Sequence, residues 1–179
     1  MDIVERGKIY AEGKALSALS SVIEQAYIDG YNDGLKHLEN EKLEAMKDGV
    51  DYVNLGLPSE TLWSNNLLSD NGYYCYMTYV EASKLNIPTK EQFEELFSEF
   101  CVIQHNNAND RGGFEFKGIY GDLIFVYGNE NENLFWLKDE EESTEKNCAS
   151  IKREDGKLKP VFKKIFMGEK IKVMLVKNK

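Results

Sequence analysis

Tyr52–Trp63 reads YVNLGLPSETLW, and the fold turns on it. Val53, Leu55 and Leu57 fall on one face of an extended run, the period of a half-buried strand. Pro58-Ser59 supplies a turn, because proline presets the backbone for the first central turn position. Thr61-Leu62-Trp63 begins the return. The stretch is a β-hairpin, and it separates two kinds of sequence.

The N-terminal side of the hairpin is helical. Residues 3 to about 47 contain no proline and are dominated by Ala, Leu, Glu and Lys. Leu16, Leu19, Ile23, Ala26 and Gly30 recur at 3-4-3-4 spacing, a coiled-coil seam. Tyr27, Tyr31, Gly34 and Leu38 form a second stripe beside it. A helix of about 40 residues would reach about 60 Å, too long to hide on one small domain. Part of it is therefore expected on a partner, with Leu16, Leu19, Ile23, Ala26, Gly30, Tyr27 and Gly34 as the oligomerisation residues. Gly30 and Gly34 each cost about 1 kcal/mol relative to Ala in a helix interior, so either a close helix contact or a break is expected there. Calcium is a third reading of Asp29, Asn32 and Asp33. However, the twelfth position counted from Asp29 is Asn40, not Glu, and counting from Asp33 puts Leu35 and His37 at ligand positions.

The C-terminal side is rich in strands, with few helices. Thr89 with Gln92 three residues on makes a capping box for a helix whose apolar stripe is Phe93, Leu96, Phe97 and Phe100. A shorter helix is predicted from Thr78 to Leu85. Strand-like runs then occupy Gly113–Lys117, Leu123–Tyr127, Leu134–Lys138, Cys148–Lys152 and Lys170–Val176. This pattern predicts an α+β class, with residues 1–48 a helical stem or docking segment and 49–179 the head.

The bulk numbers narrow the function. The 179 residues carry a net charge of −9. Residues 151–179 hold ten Lys/Arg against three Asp/Glu, so the body before them is strongly acidic. That argues against nucleic acid as the partner, because phosphate attraction needs a basic surface. The basic end is expected to neutralise the acidic body. Cys75, Cys101 and Cys148 share no CxxC spacing, and two histidines add no cluster, so no metal and no cofactor is expected. No apolar run approaches the ~18 residues of a membrane span, and MDIVERGKIYAEGK lacks the apolar core of a signal peptide.

Taken together, YVNLGLPSETLW, IPTKEQFEEL (Ile87–Leu96), GGFEFKGIYGDLIFV (residues 112–126), LFW (134–136) and KIKVMLV (170–176) resemble the Fibrobacter succinogenes major paralogous domain family. Its members read YVDLGLPSGTxWA, LPTxEEFxEL, a GxxxxGxxGxxIFLP strand pair, a YWSS-like strand and a terminal SVRPV-like strand. The resemblance spans about residues 51–176 and implies a C-type-lectin-like fold, related to retroelement variable proteins and formylglycine-generating enzymes. It implies that the first strand pairs with the last. It also implies that loops between about Asn106 and Lys164 cluster at one end, where a rigid scaffold displays binding residues. Asn106, Asn107, Asn109, Asn131, Glu132 and Asn133 are the ligand-binding candidates on those loops. The chain departs from the family at Glu60, where the family has glycine, so the turn puts a non-glycine residue in an unfavourable conformation. The serines of the YWSS-like strand and the terminal arginine are also absent.

No catalytic constellation stands out. Cys101 and Cys148 are expected to be buried thiols rather than the reactive pair of formylglycine-generating relatives. His37 and His105 have no nucleophile elbow nearby. Asp139-Glu140-Glu141-Glu142 reads as a solvated face. Trp63, Phe125, Phe135 and Trp136 read as core. The expectation is a non-enzymatic structural and binding module, a homo-oligomer in a phage virion as fibre, tail or capsid decoration. It would be made in the bacterial cytoplasm without a signal peptide, contact other virion proteins, and meet a host-surface ligand. A bacterial surface or secreted adhesin of the same fold is the alternative.

Overall fold

Helix α1 runs unbroken from Ile3 to Asp48, about 70 Å at 1.5 Å per residue. Gly30 and Gly34 do not interrupt it, which removes the break considered for that segment. The computed structural model describes residues 2–70, 73–106, 112–128 and 133–178, with the backbone alone at residues 39, 70, 73, 105 and 106. The chain divides into two compact units, Met1–Ala45 and Met46–Lys179.

The second unit is mixed α+β. Its elements are β1 (Tyr52–Asn54), β2 (Leu62–Ser64), β3 (Ser69–Asp70), β4 (Tyr73–Tyr74), β5 (Tyr76–Met77), α2 (Tyr79–Ala82), α3 (Lys90–Glu95) and β6 (Cys101–Asn106). After these come β7 (Gly113–Gly118), β8 (Leu123–Tyr127), β9 (Phe135–Trp136), β10 (Glu145–Glu154), β11 (Lys157–Phe166), β12 (Ile171–Lys172) and β13 (Val176–Lys177).

The opening stretch is the expected hairpin: β1 pairs antiparallel with β2, Val53 opposite Trp63. The Glu60 N–H donates to the Leu57 carbonyl at 2.9 Å and closes the Pro58-Ser59 turn. Glu60 sits at φ 56, the left-handed region that glycine occupies without strain. Gly56, at φ 72, is a glycine for a second reason: a Cβ there would lie 2.5 Å from the Ile119 side chain.

The closing strand departs from expectation. It does not pair with β1. Instead β13 pairs antiparallel with β2, Val176 opposite Trp63, so the sheet order is β1-β2-β13. The run 170–176 is also not one strand. Val173, Met174 and Leu175 are all buried but belong to no strand: they lie between β12, in the largest sheet, and β13, in the sheet of the first hairpin. The chain therefore breaks there and passes from one sheet to another. On the way its backbone serves β2 and its neighbours, with Ser64 N–H donating to Leu175 O at 3.0 Å and Leu68 N–H to Val173 O at 3.0 Å.

The largest sheet has the order β11-β10-β9-β12-β5. Its long hairpin, β10–β11, joins Glu145–Glu154 to Lys157–Phe166 through Asp155-Gly156 at φ 51 and 77, the left-handed pair of a tight hairpin turn. The strand expected at Cys148–Lys152 is therefore present and longer, Glu145–Glu154, and it pairs with a strand, Lys157–Phe166, that was not expected. Pro160 is tolerated because β11 is an edge. A third sheet, β6-β7-β8, is an antiparallel meander.

Both short helices begin as their sequences require. Thr78 and Glu81 form a capping box on α2, and Thr89 and Gln92 one on α3. Helix α3 drives Phe93, fully buried, among Phe97, Phe135 and Phe162, with ring centroids 5.8, 6.0 and 6.3 Å away. Trp63, Leu96, Phe114, Phe116, Leu137 and Ile151 complete the same core.

Candidate functional site

The first candidate is the surface of α1. Every described side chain from Asp2 to Lys42 is exposed. Leu16, Leu19, Ile23 and Tyr27 keep 67, 57, 61 and 75 % of their surface open. Helical spacing puts Leu16, Leu19, Ile23, Ala26 and Gly30 in one stripe, with Tyr27, Tyr31, Gly34 and Leu38 beside it. Val22, Ile28 and Leu35, large, apolar and exposed, widen the apolar surface beyond those two stripes; a search for 3-4 spacing passes over them. A Cβ on Gly30 or Gly34 would meet nothing within 4 Å, so no neighbour in the same chain requires either glycine. The polar side chains pair locally: Gln25 Nε2 donates to Asp29 Oδ1 at 2.9 Å, Lys36 lies 3.7 Å from Asp33, and His37 3.2 Å from Glu41. Such exposed pairs add only tenths of a kcal/mol each.

In the head, most loop candidates fall outside the described residues: Asn107, Asn109, Asn131 and Glu132. Asn106 ends β6, with its backbone opposite Gly113. Asn133 is described, and its amide is used inside the fold. The side chain is 1 % exposed; its Nδ2 donates to Ile151 O at 3.0 Å and its Oδ1 accepts from Ile151 N at 2.6 Å. It therefore acts as one residue of an extra strand against β10 rather than as a displayed amide.

Sequence patterns do not disclose a cavity of about 590 Å³ at the start of α3, where Tyr79, Asn86, Gln92, Lys138, Lys177 and Asn178 contribute to the lining. Its walls are fixed by hydrogen bonds. The Tyr79 hydroxyl donates to Asp139 O at 2.7 Å and accepts from Asp139 N at 2.9 Å, and burial pushes its phenol up. Gln92 Nε2 donates to Thr61 Oγ1 at 3.0 Å and to Asn178 Oδ1 at 3.4 Å. The one signal in the sequence is Gln92, whose part in the helix cap conceals this second use.

Next to that wall the two most distinctive sequence stretches meet. Glu95, on α3, accepts from Ser59 N at 2.9 Å through Oε1 and from the Ser59 hydroxyl through Oε2. The turn of YVNLGLPSETLW is thus fastened to the helix of IPTKEQFEEL.

The reactive-group candidates are structural. Cys101 and Cys148 are buried, and desolvation pushes both thiols up to about 11, so they stay protonated and weakly nucleophilic at neutral pH. Burial works against the Asp139 charge, but N–H bonds from Glu141 and Asn147, 2.9 Å each, outweigh it and hold the carboxyl below its usual range. Trp63, Phe135 and Trp136 are fully buried. Among the described residues no group of three His, Cys, Asp or Glu side chains could hold a metal ion, and no helix is long and apolar enough to cross a membrane. Compared with known proteins, the chain matches no family model, no curated protein and no solved structure.

Proposed function

We propose that the protein is a non-enzymatic assembly and binding module, in which α1 self-associates and the β-rich head serves as the displayed binding domain. The observation that carries this reading is the apolar surface left open along α1. Fully burying one Leu or Ile stabilises by about 1.5–3 kcal/mol, and α1 leaves Leu16, Leu19, Ile23, Tyr27, Tyr31 and Leu38 in water. A helix with glycines at 7, 13, 30 and 34 gains little from intrinsic propensity, and most helical stability in proteins comes from packing an apolar face. A partner supplies that packing.

In its finer form the reading makes the head a diverged C-type-lectin-like domain and the assembly part of a phage virion, alongside other virion proteins and facing a host-surface ligand. The motif resemblance supports the fold. So does the bond between Ser59 and Glu95, which joins the two stretches that carry it. Against it stands β2, lying between the first and last strands of the head.

Sedimentation equilibrium tests the core of the proposal. An oligomer is expected at micromolar concentration, and the pair Leu19→Glu and Ile23→Glu is expected to return it to monomer with the head's melting unchanged. A strict monomer whose residues 2–48 are cut readily by protease overturns the reading. For the finer form, the protein is expected by mass spectrometry in purified phage particles; finding it only in the cell-surface fraction removes the virion assignment.

A further inference from the structure

We infer that α1 pairs antiparallel with a second copy of itself, with the two-fold axis near residues 24–25. This rests on the reading of α1 as a self-associating helix and adds its direction and register.

Charge is the first argument. Residues 2–22 balance Asp2, Glu5 and Glu12 against Arg6, Lys8 and Lys14, whereas residues 23–48 hold seven acidic side chains against three basic ones. A parallel pair sets the acidic half beside itself. An antiparallel pair sets it beside the half that carries Arg6, Lys8 and Lys14. Like charges across an interface are selected against, and opposite charges fix register.

Side-chain size is the second argument. In an antiparallel coiled coil, each first-position residue of the seam faces a fourth-position residue of the partner helix. With the axis near residues 24–25, Leu19 lies against the partner's Gly30 and Ile23 against the partner's Ala26, large against small at the two central layers, while Leu16 meets the partner's Asp33 in the next layer and Glu5 meets the partner's Glu44 near the ends. The same register puts Arg6 beside the partner's Glu41 and Glu12 near the partner's Lys36. Gly30 then has a purpose that its own chain does not supply, since beyond the adjoining turns of its own helix nothing comes within 4 Å of a Cβ there. Helices approach closely where small residues meet, and a side chain added at such a contact must be accommodated by separating them.

Oxidative cross-linking reads the direction. Chains carrying Arg6→Cys and chains carrying Glu41→Cys, both in a Cys75→Ser background that leaves only buried native thiols, are mixed and oxidised. The mixed Arg6→Cys/Glu41→Cys disulfide is expected to dominate. Homodimeric disulfides in its place, or no disulfide in a preparation that sediments as an oligomer, overturn the antiparallel register and leave the self-association reading standing. A chain that sediments as monomer overturns both. Gly30→Ala gives a second reading: association about tenfold weaker is expected, the size of effect an overpacked contact produces, although alanine raises the helix propensity. Association unchanged or tighter in Gly30→Ala overturns the close contact.

Discussion

Glu60 shows how much one residue can disclose. It occupies φ 56 at the end of the first turn, where left-handed backbone costs an ordinary residue about 1–2 kcal/mol. Glycine removes that strain but frees the unfolded chain as well, so Glu60→Gly is expected to stabilise the head by about 0.5–1 kcal/mol, seen as a higher urea midpoint at unchanged slope. This strain was legible only through a resemblance, because the family that the stretch YVNLGLPSETLW resembles has glycine where this chain has Glu60. Asn133 was not legible. An asparagine offers the same donor and acceptor to solvent or to a strand edge, and only burial decides between them. Asp139 likewise stands in what reads as a solvated acidic run, yet it ties Glu141 and Asn147 to its carboxylate. Its folded pKa lies below the ordinary 3.8, so its contribution is complete above that value and is lost as pH falls through the lower folded value. Asp139→Asn is expected to cost about 1–2 kcal/mol at neutral pH and to flatten the stability profile below pH 4, measured by denaturant titration across pH.

Elements whose signals are local were legible; elements that depend on distant partners were not. The capping box at Thr89 is a four-residue pattern and it formed, and the short helix expected from Thr78 begins with a second box, Thr78 with Glu81. The hairpin β10–β11 also carried a local signal, Asp155-Gly156. Lys157, Lys159, Lys163 and Lys164 obscured it by breaking the apolar alternation. Lysines of this kind are what an edge strand uses to discourage further pairing, and they take their acidic neighbours close by: Lys159 lies 3.5 Å from Glu154 and 3.9 Å from Asp155, and Lys164 bonds Glu141. Gly156→Ala, at φ 77, is expected to cost about 1 kcal/mol, read from the thermal midpoint. The joint between the first hairpin and α3 is a second test at this scale. A double-mutant cycle of Ser59→Ala and Glu95→Ala is expected to return a coupling of about 1 kcal/mol, whereas a coupling near zero would make the two motifs independent.

For the whole molecule, the class and the break after the long helix came from periodicity alone, because both are written in runs of adjacent residues. The strand order did not. Nothing near Val176 says that its neighbour will be Trp63 rather than Val53, since both positions face it with the same alternating pattern. Two units with separate packing should also melt separately. Calorimetry is expected to show one transition that rises with protein concentration, from α1, and one that does not, from the head. The order β1-β2-β13 has a mechanical consequence. Val53 and Val176 stand level on opposite sides of Trp63, and their strands run the same way. Tension applied at Tyr52 and at Lys177 would drag those strands in opposite directions along β2, loading their hydrogen bonds side by side and all at once. A head tethered at both ends in that way resists pulling as a lap joint does, and does not peel apart bond by bond.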